Sequence, residues 1–200
     1  MKRKVFTSKY LRKQKKIYYI LIGLAIIGII FGLLFIFLIS NENKSLLNTR
    51  IKDFFDNDID IFKNFFKCLF NNLILILIVW ILGISIIGIP LILIILFLKS
   101  FIFGFSISSL ISTFGVNGLL ISLFHIVISK SIYLIILILM SFYSISFSIK
   151  LLKSFFTKKS VDFKESIRKY IKVLLLSLVV CFIISIYEGF ISNYIVNFFY

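Results

Sequence analysis

The sequence gives a catalyst very little to work with. Its 200 residues include one histidine, two cysteines, one proline and eight acidic residues. A lone His125 excludes a two-histidine metal site and leaves a histidine-based triad without a second candidate base. Cys68 and Cys181 lack the CxxC spacing of a thiolate metal site. Cys181 lies in an apolar run and reads as a small buried hydrophobe. No GxxxxGK[ST] loop is present to cradle a nucleotide phosphate. Seven of the eight carboxylates fall in polar segments, and only Glu188 lies in an apolar run. That distribution excludes paired carboxylates for hydrolysis within a membrane, and a carboxylate relay of the kind proton pumps use. The expectation is a non-enzyme that carries no cofactor and no metal.

What is abundant is apolar surface: 60% of residues are hydrophobic and 18% aromatic, against 16% charged. A soluble domain of this size still exposes much of its area to water and could not conceal so much. Lipid is the solvent that fits. The formal charge of +15 raises the alternative of nucleic-acid binding. Its distribution argues for topology instead. Eight of the 23 basic residues fall in positions 1–16 and another eight in 150–172, each cluster flanking a long apolar run. Basic segments of this kind stay on the cytoplasmic side and can touch anionic headgroups, so the partner is the lipid bilayer and no nucleic acid is expected.

Ile17 to Ile39 is uncharged throughout and long enough to span the hydrocarbon core. It exceeds a signal-peptide h-region and lacks a small-residue cleavage site, so it reads as a retained anchor. Within it, Gly28 and Gly32 form a GxxxG, which permits close helix approach, although a single match is a weak signal. Residues 40–72 balance five basic against five acidic side chains and belong on the outer face. Ile51, Phe54, Phe55, Phe62, Phe65, Phe66, Leu69 and Phe70 recur there at roughly helical spacing. They predict an amphipathic outer-face helix before the second span, the alternative being a plain polar lead-in.

Residues 73–149 are almost uninterrupted apolar sequence, broken by Lys99, His125 and Lys130. An outer loop before this block and an inner cluster after it require an odd number of crossings, hence three at about 20 residues each. The reading is one membrane domain over 1–200, all-α and polytopic, with about five transmembrane helices. Its parts are a basic tail (1–16), spans at 17–39, 73–98, 101–124, 131–149 and 173–193, an outer loop (40–72) and a basic inner loop (150–172). The N-terminus is inside and the C-terminus outside. Lys99 then sits at the inner surface and Lys130 at the outer one.

Two places attract functional readings. Glu188 lies in the outer half of the last span, where a lone carboxylate is costly unless paired or protonated. Lys130 and His125 are candidate partners on its side, and contact with interfacial water is the alternative. In the second span, Gly83, Gly88 and Pro90 interrupt the helix. Such a break is either a tolerated kink or a binding element of a transporter.

The stretch from Trp80 to Lys99, carrying Gly83, Ser85, Gly88 and Pro90 and followed by Gly104-Phe105, resembles stage II sporulation protein M. Phe147 to Lys153 resembles that family's motif closing the fourth span, and Glu188-Gly-Phe-Ile-Ser192 resembles its acidic motif in the last one. The resemblance implies a scaffold in the mother-cell membrane at the sporulation septum. There it would anchor the peptidoglycan-degrading stage II sporulation proteins D and P for wall thinning and engulfment. The partners would supply the catalytic groups. Asp56, Asp58 and Phe62 of the outer loop are the candidate docking residues, and self-association is left open. A transporter or permease-like subunit is the competing class, without the internal repeats or polar pathway that it should show.

Overall fold

The computed structural model describes residues 2–56, 61–85, 87–157 and 163–191, and all regular structure among them is helical. In order these are α1 (Lys2–Phe35), α2 (Asn41–Asp56), α3 (Ile61–Ile84), α4 (Gly88–Ile121), a π-helical segment π1 (Ser122–Val127), α5 (Ile128–Thr157), α6 (Phe163–Ile186) and a second segment π2 (Tyr187–Ile191). Ile- and Phe-rich runs favour strands in water. In lipid every amide must be satisfied within its own segment or within a closed barrel, so these runs are helical. Four runs are long and apolar enough to cross a membrane: Lys15–Phe35, Phe62–Ile84, Gly88–Ser154 and Lys164–Phe190. The chain is an all-α, multi-pass membrane protein.

The third of those runs is 67 residues. Laid straight it would measure about 100 Å, more than three times the hydrocarbon core. It is folded in two. Gly115, at φ 61° and ψ −126°, breaks the helical path inside α4. The chain then returns alongside itself, so that Gly118 abuts the Leu110 carbonyl and Ile121 packs with Leu110. The two limbs remain antiparallel to the other end of the bundle, where Ser148 Oγ on α5 donates to the Ser85 carbonyl just before α4, 2.8 Å away. The membrane-length helices are therefore α1, α3, α4, α5 and α6.

This geometry corrects two expected boundaries. α3 ends at Ile84 and α4 begins at Gly88, so the break falls there and not beside Lys99; the expected span 73–98 is divided between α3 and α4, and 101–124 continues α4. Pro90 is the third residue of α4, where a backbone N–H would have no intrahelical acceptor in any case. It starts a helix and does not kink one. The next reversal lies at Gly115, not near Lys130, and Lys130 belongs to the descending limb. A third correction concerns the outer amphipathic segment. α2 ends at Asp56, and Phe62, Phe65, Phe66, Leu69 and Phe70 form the first turns of the long α3. Apolar residues at helical spacing are shared by a surface helix and by the end of a buried one, and spacing alone does not separate them.

Leu21 and Ala25 of α1, Ile76 and Val79 of α3, Ile92 and Leu96 of α4, Leu137 and Met140 of α5, and Cys181 and Ile184 of α6 form one core. Buried serines return their hydroxyls to their own helix: Ser100 to the Leu96 carbonyl, Ser177 to Val173 and Ser185 to Cys181, each at 2.8 Å. The GxxxG of α1 lies in the closest helix contact. A Cβ on Gly28 would stand 2.8 Å from the Ser100 Cβ, and one on Gly32 would strike the Phe101 carbonyl. Gly104 meets the Ile29 carbonyl from the opposite side. Lipid tails are as apolar as side chains, so this backbone approach and its dispersion contacts hold α1 in place. Gly32→Ala is expected to cost about 1–3 kcal/mol, since backbone must move to admit the methyl group. Gly23 has nothing within 4 Å of an added Cβ, so Gly23→Ala should be neutral. Thermal melts of both purified variants in detergent check this, and equal stabilities would contradict the contact.

Candidate functional site

Polar side chains gather at the two ends of the bundle. At the end carrying Lys15, Lys150 and Lys164, Tyr170 of α6 donates its hydroxyl to the Trp80 carbonyl of α3. The Ser144 hydroxyl lies 3.1 Å from it. The Tyr170 ring stacks on Phe147 at 4.7 Å and on Trp80 at 5.8 Å. Gly83 is the gap into which that hydroxyl fits, since a Cβ there would collide with Tyr170 and Ser144. Gly88 likewise faces the Leu82 carbonyl across the turn. Gly83, Ser85, Gly88 and Pro90 thus build a tight turn clamped by α5 and α6. The Gly/Pro break therefore lies at a turn between two helices and not within one.

The opposite end holds the buried charge. Glu188, 3% exposed, is carried by π2 and lies 2.6 Å from the ammonium of Lys130 on α5, which is 41% exposed. Three contacts bring π2 to this position. Gly189 presses on Phe65, where a Cβ would stand 2.7 Å from the Phe65 Cβ. Phe190 meets the rings of Phe62 and Phe65 at 6.0 and 5.9 Å. Tyr187 donates its hydroxyl to the Phe124 carbonyl of π1. On the neighbouring turn of α3 the Cys68 thiol donates to Asn64 Oδ1 at 3.7 Å. One turn deeper, Tyr133 donates to the Asn72 carbonyl at 3.3 Å, and the Asn72 amide lies 3.5 Å from Ser185 Oγ.

Lys99 is half-buried along α4 and does not lie at either end of the bundle. It lies about 16 Å along α4 from Gly88, roughly midway through a 30 Å hydrocarbon core. It shares a face with Ile95 and Phe103, which pack on the bundle core, and Lys130 and Glu188 are within electrostatic range. Gly104 contributes to the α1 contact and to neither polar end. Of the outer-loop residues, Phe62 is 67% exposed apart from its contact with Phe190. Asp56 closes α2, while Asp58 and Ser192 lie outside the described residues.

One element was not anticipated. The first limb of α4, residues 88–114, rises about 40 Å, so the hairpin stands some 10 Å beyond a 30 Å core. α2 leans on this extension: Ile51 packs, as Phe114 does, on the cluster of Leu110 and Ile121, and Asn48 Oδ1 lies 2.9 Å from the Thr113 hydroxyl. The tip exposes Val116, Leu119, Leu123 and Phe124. The sequence signal was Gly115-Val-Asn117-Gly118, whose Asn-Gly pair marks a turn inside an otherwise apolar run. Among the described residues no three His, Cys, Asp or Glu side chains converge as a metal site.

A family model described as Stage II sporulation protein M matches residues 21–193, a stretch that contains both polar ends and the hairpin. No curated protein and no solved structure matches the chain.

The ion pair generates an asymmetric expectation. Lys130→Met leaves a buried carboxylate without its nearest cation, and a broken buried pair costs about 3 kcal/mol or more. Glu188→Gln leaves an ammonium that already reaches solvent, so it should cost less. The double variant should recover part of the Lys130→Met loss. Thermal stability of the purified variants checks the order, and a larger loss for Glu188→Gln would contradict it.

Proposed function

The chain belongs to the stage II sporulation protein M family, whose members are membrane proteins with a role in sporulation, and on that premise we propose that it is a non-enzymatic scaffold. It anchors the peptidoglycan-degrading stage II sporulation proteins D and P in the mother-cell membrane at the septum, for wall thinning and engulfment. The observation that carries this reading is the outer cap, a helical hairpin extending past the bilayer with α2 braced against it and large apolar side chains exposed at its tip. Exposed apolar residues grouped on one projecting element mark an interaction surface. The catalytic groups are supplied by the partners.

Sidedness follows from charge. Lys15, Lys16, Lys150, Lys153 and the basic residues at the start of α6 share one end of the bundle, with Tyr18 against Phe142 and Lys150 donating to Ser166 at 3.0 Å. That end is cytoplasmic by the positive-inside rule, so the N-terminus is inside, the hairpin tip outside and the C-terminus outside. The docking surface is the outer loop with Asp56, Asp58 and Phe62, extended by Val116 and Phe124 of the tip.

Three measurements test the reading. Asn117→Cys should react with a membrane-impermeant maleimide applied outside intact cells; protection from outside and labelling only after lysis would reverse the topology. A deletion strain induced to sporulate should arrest at a septum with unthinned peptidoglycan. Normal engulfment would remove the scaffold role. Substitution of Asp56, Asp58 and Phe62 together, or of Val116 and Phe124 to serine, should lower recovery of proteins D and P in pull-downs. Unchanged recovery from both sets would clear the cap of docking.

A further inference from the structure

Between α2, the upper part of α4 and π1 lies a cavity of about 280 Å³, lined by Leu47, Arg50, Ile51, Ser106, Ser109, Leu110, His125 and Ile126. Its walls are aliphatic, and its two hydrogen-bond donors with protons to spare are Arg50 and His125. Ser106 and Ser109 already give their hydroxyl protons to the Ile102 and Ser106 carbonyls, at 2.8 and 3.0 Å. The Arg50 side chain is exposed at the mouth and makes no hydrogen bond or ion pair among the described residues. His125 Nδ1 is buried and has no hydrogen-bond partner among them. Nδ1 is sealed from the cavity that His125 lines, so it is the other ring nitrogen that is left to meet a ligand there.

Depth identifies the ligand class. Ser106 to Leu110 lie about 27–33 Å along α4 from Gly88, at the level where the hydrocarbon core gives way to headgroups. Aliphatic walls at that level suit the upper part of an acyl chain, and a guanidinium at the mouth suits a phosphate diester. π-helical segments are rare and cluster at functional sites, and here π1 is what sets His125 into the cavity wall.

We propose that this cavity binds one anionic phospholipid of the outer leaflet, with Arg50 on its phosphate, His125 on a headgroup or ester oxygen, and Leu47, Ile51, Leu110 and Ile126 around its first chain carbons. The bound lipid would fasten α2 to the hairpin and fix the attitude of the cap over the membrane. The inference depends on the outer placement of the cap and not on the identity of any partner protein.

The experiment uses the full chain, purified in a neutral detergent, offered dioleoylphosphatidylglycerol or dioleoylphosphatidylcholine, and read by native mass spectrometry. One phosphatidylglycerol should be retained per chain in preference to phosphatidylcholine. Arg50→Gln should weaken its retention about tenfold, the scale of one lost charge-assisted phosphate contact. Arg50→Lys should keep part of it, and His125→Leu should lower it independently. Arg50 is exposed, so its variants should melt with the wild type. Lys153→Gln, at the other end of the bundle, is the control and should retain lipid normally. Equal retention of the two lipids, or retention indifferent to both Arg50 and His125, would overturn the proposal. Displacement of the lipid by millimolar inorganic phosphate would also overturn it, by making the site one for a soluble anion. A failed pull-down of proteins D and P would leave these outcomes unaffected.

Discussion

A backbone amide inside hydrocarbon has no water to turn to, and this constraint decides where the chain can reverse direction. Reversals are confined to places where other groups take over the hydrogen bonds, or where the chain has left the core. The 85–87 turn meets the first condition. Its Ser85 carbonyl accepts from Ser148, and Tyr170 accompanies it by capping the Trp80 carbonyl one turn earlier. The Gly115 reversal meets the second, at the end of a limb longer than the core is thick. The helix lengths, the antiparallel α4–α5 pair and the projecting cap all follow from those two sites.

Between the turns the bundle is held by two kinds of contact with opposite costs. The α1–α4 contact is close approach, won by glycines that present backbone to backbone, with the buried Ser100 and Ser108 turning their hydroxyls to backbone carbonyls. The Lys130–Glu188 pair at the other extreme removes a carboxylate from water and needs its cation to remain tolerable. Lys99 adds a second ammonium within range of that one carboxylate.

Much of this was legible in the residues. The apolar runs and the basic flanks pointed to an all-α, multi-pass membrane protein, and the structure has that class. Pairing of Glu188 with Lys130 could be anticipated because both were assigned to one end and a lone carboxylate needs a cation. The turns were misplaced because hydropathy is blind inside a continuous apolar run. Lys99 looked like punctuation between helices, whereas the real punctuation was Gly88-x-Pro90 and Gly115-Val-Asn117-Gly118. A lysine can sit mid-helix if neighbouring groups share its field; a glycine at positive φ has no helical alternative at that position. The cavity had no signature, since it joins Arg50 on α2 to His125 on π1 across a fold-back that only the reversal at Gly115 creates.

The hairpin's fixed height has a consequence of its own. Two antiparallel helices packed along their length behave as a strut, and a strut does not shorten when the bilayer around it changes. In a thinner membrane the Gly115 tip stands farther from the surface, and in a thicker one the exposed Leu119, Leu123 and Phe124 sink toward the headgroups. The cap is thus a ruler laid across the bilayer, with its zero at the 85–87 turn. What it presents on the far side is graded by the thickness of the membrane in which it stands.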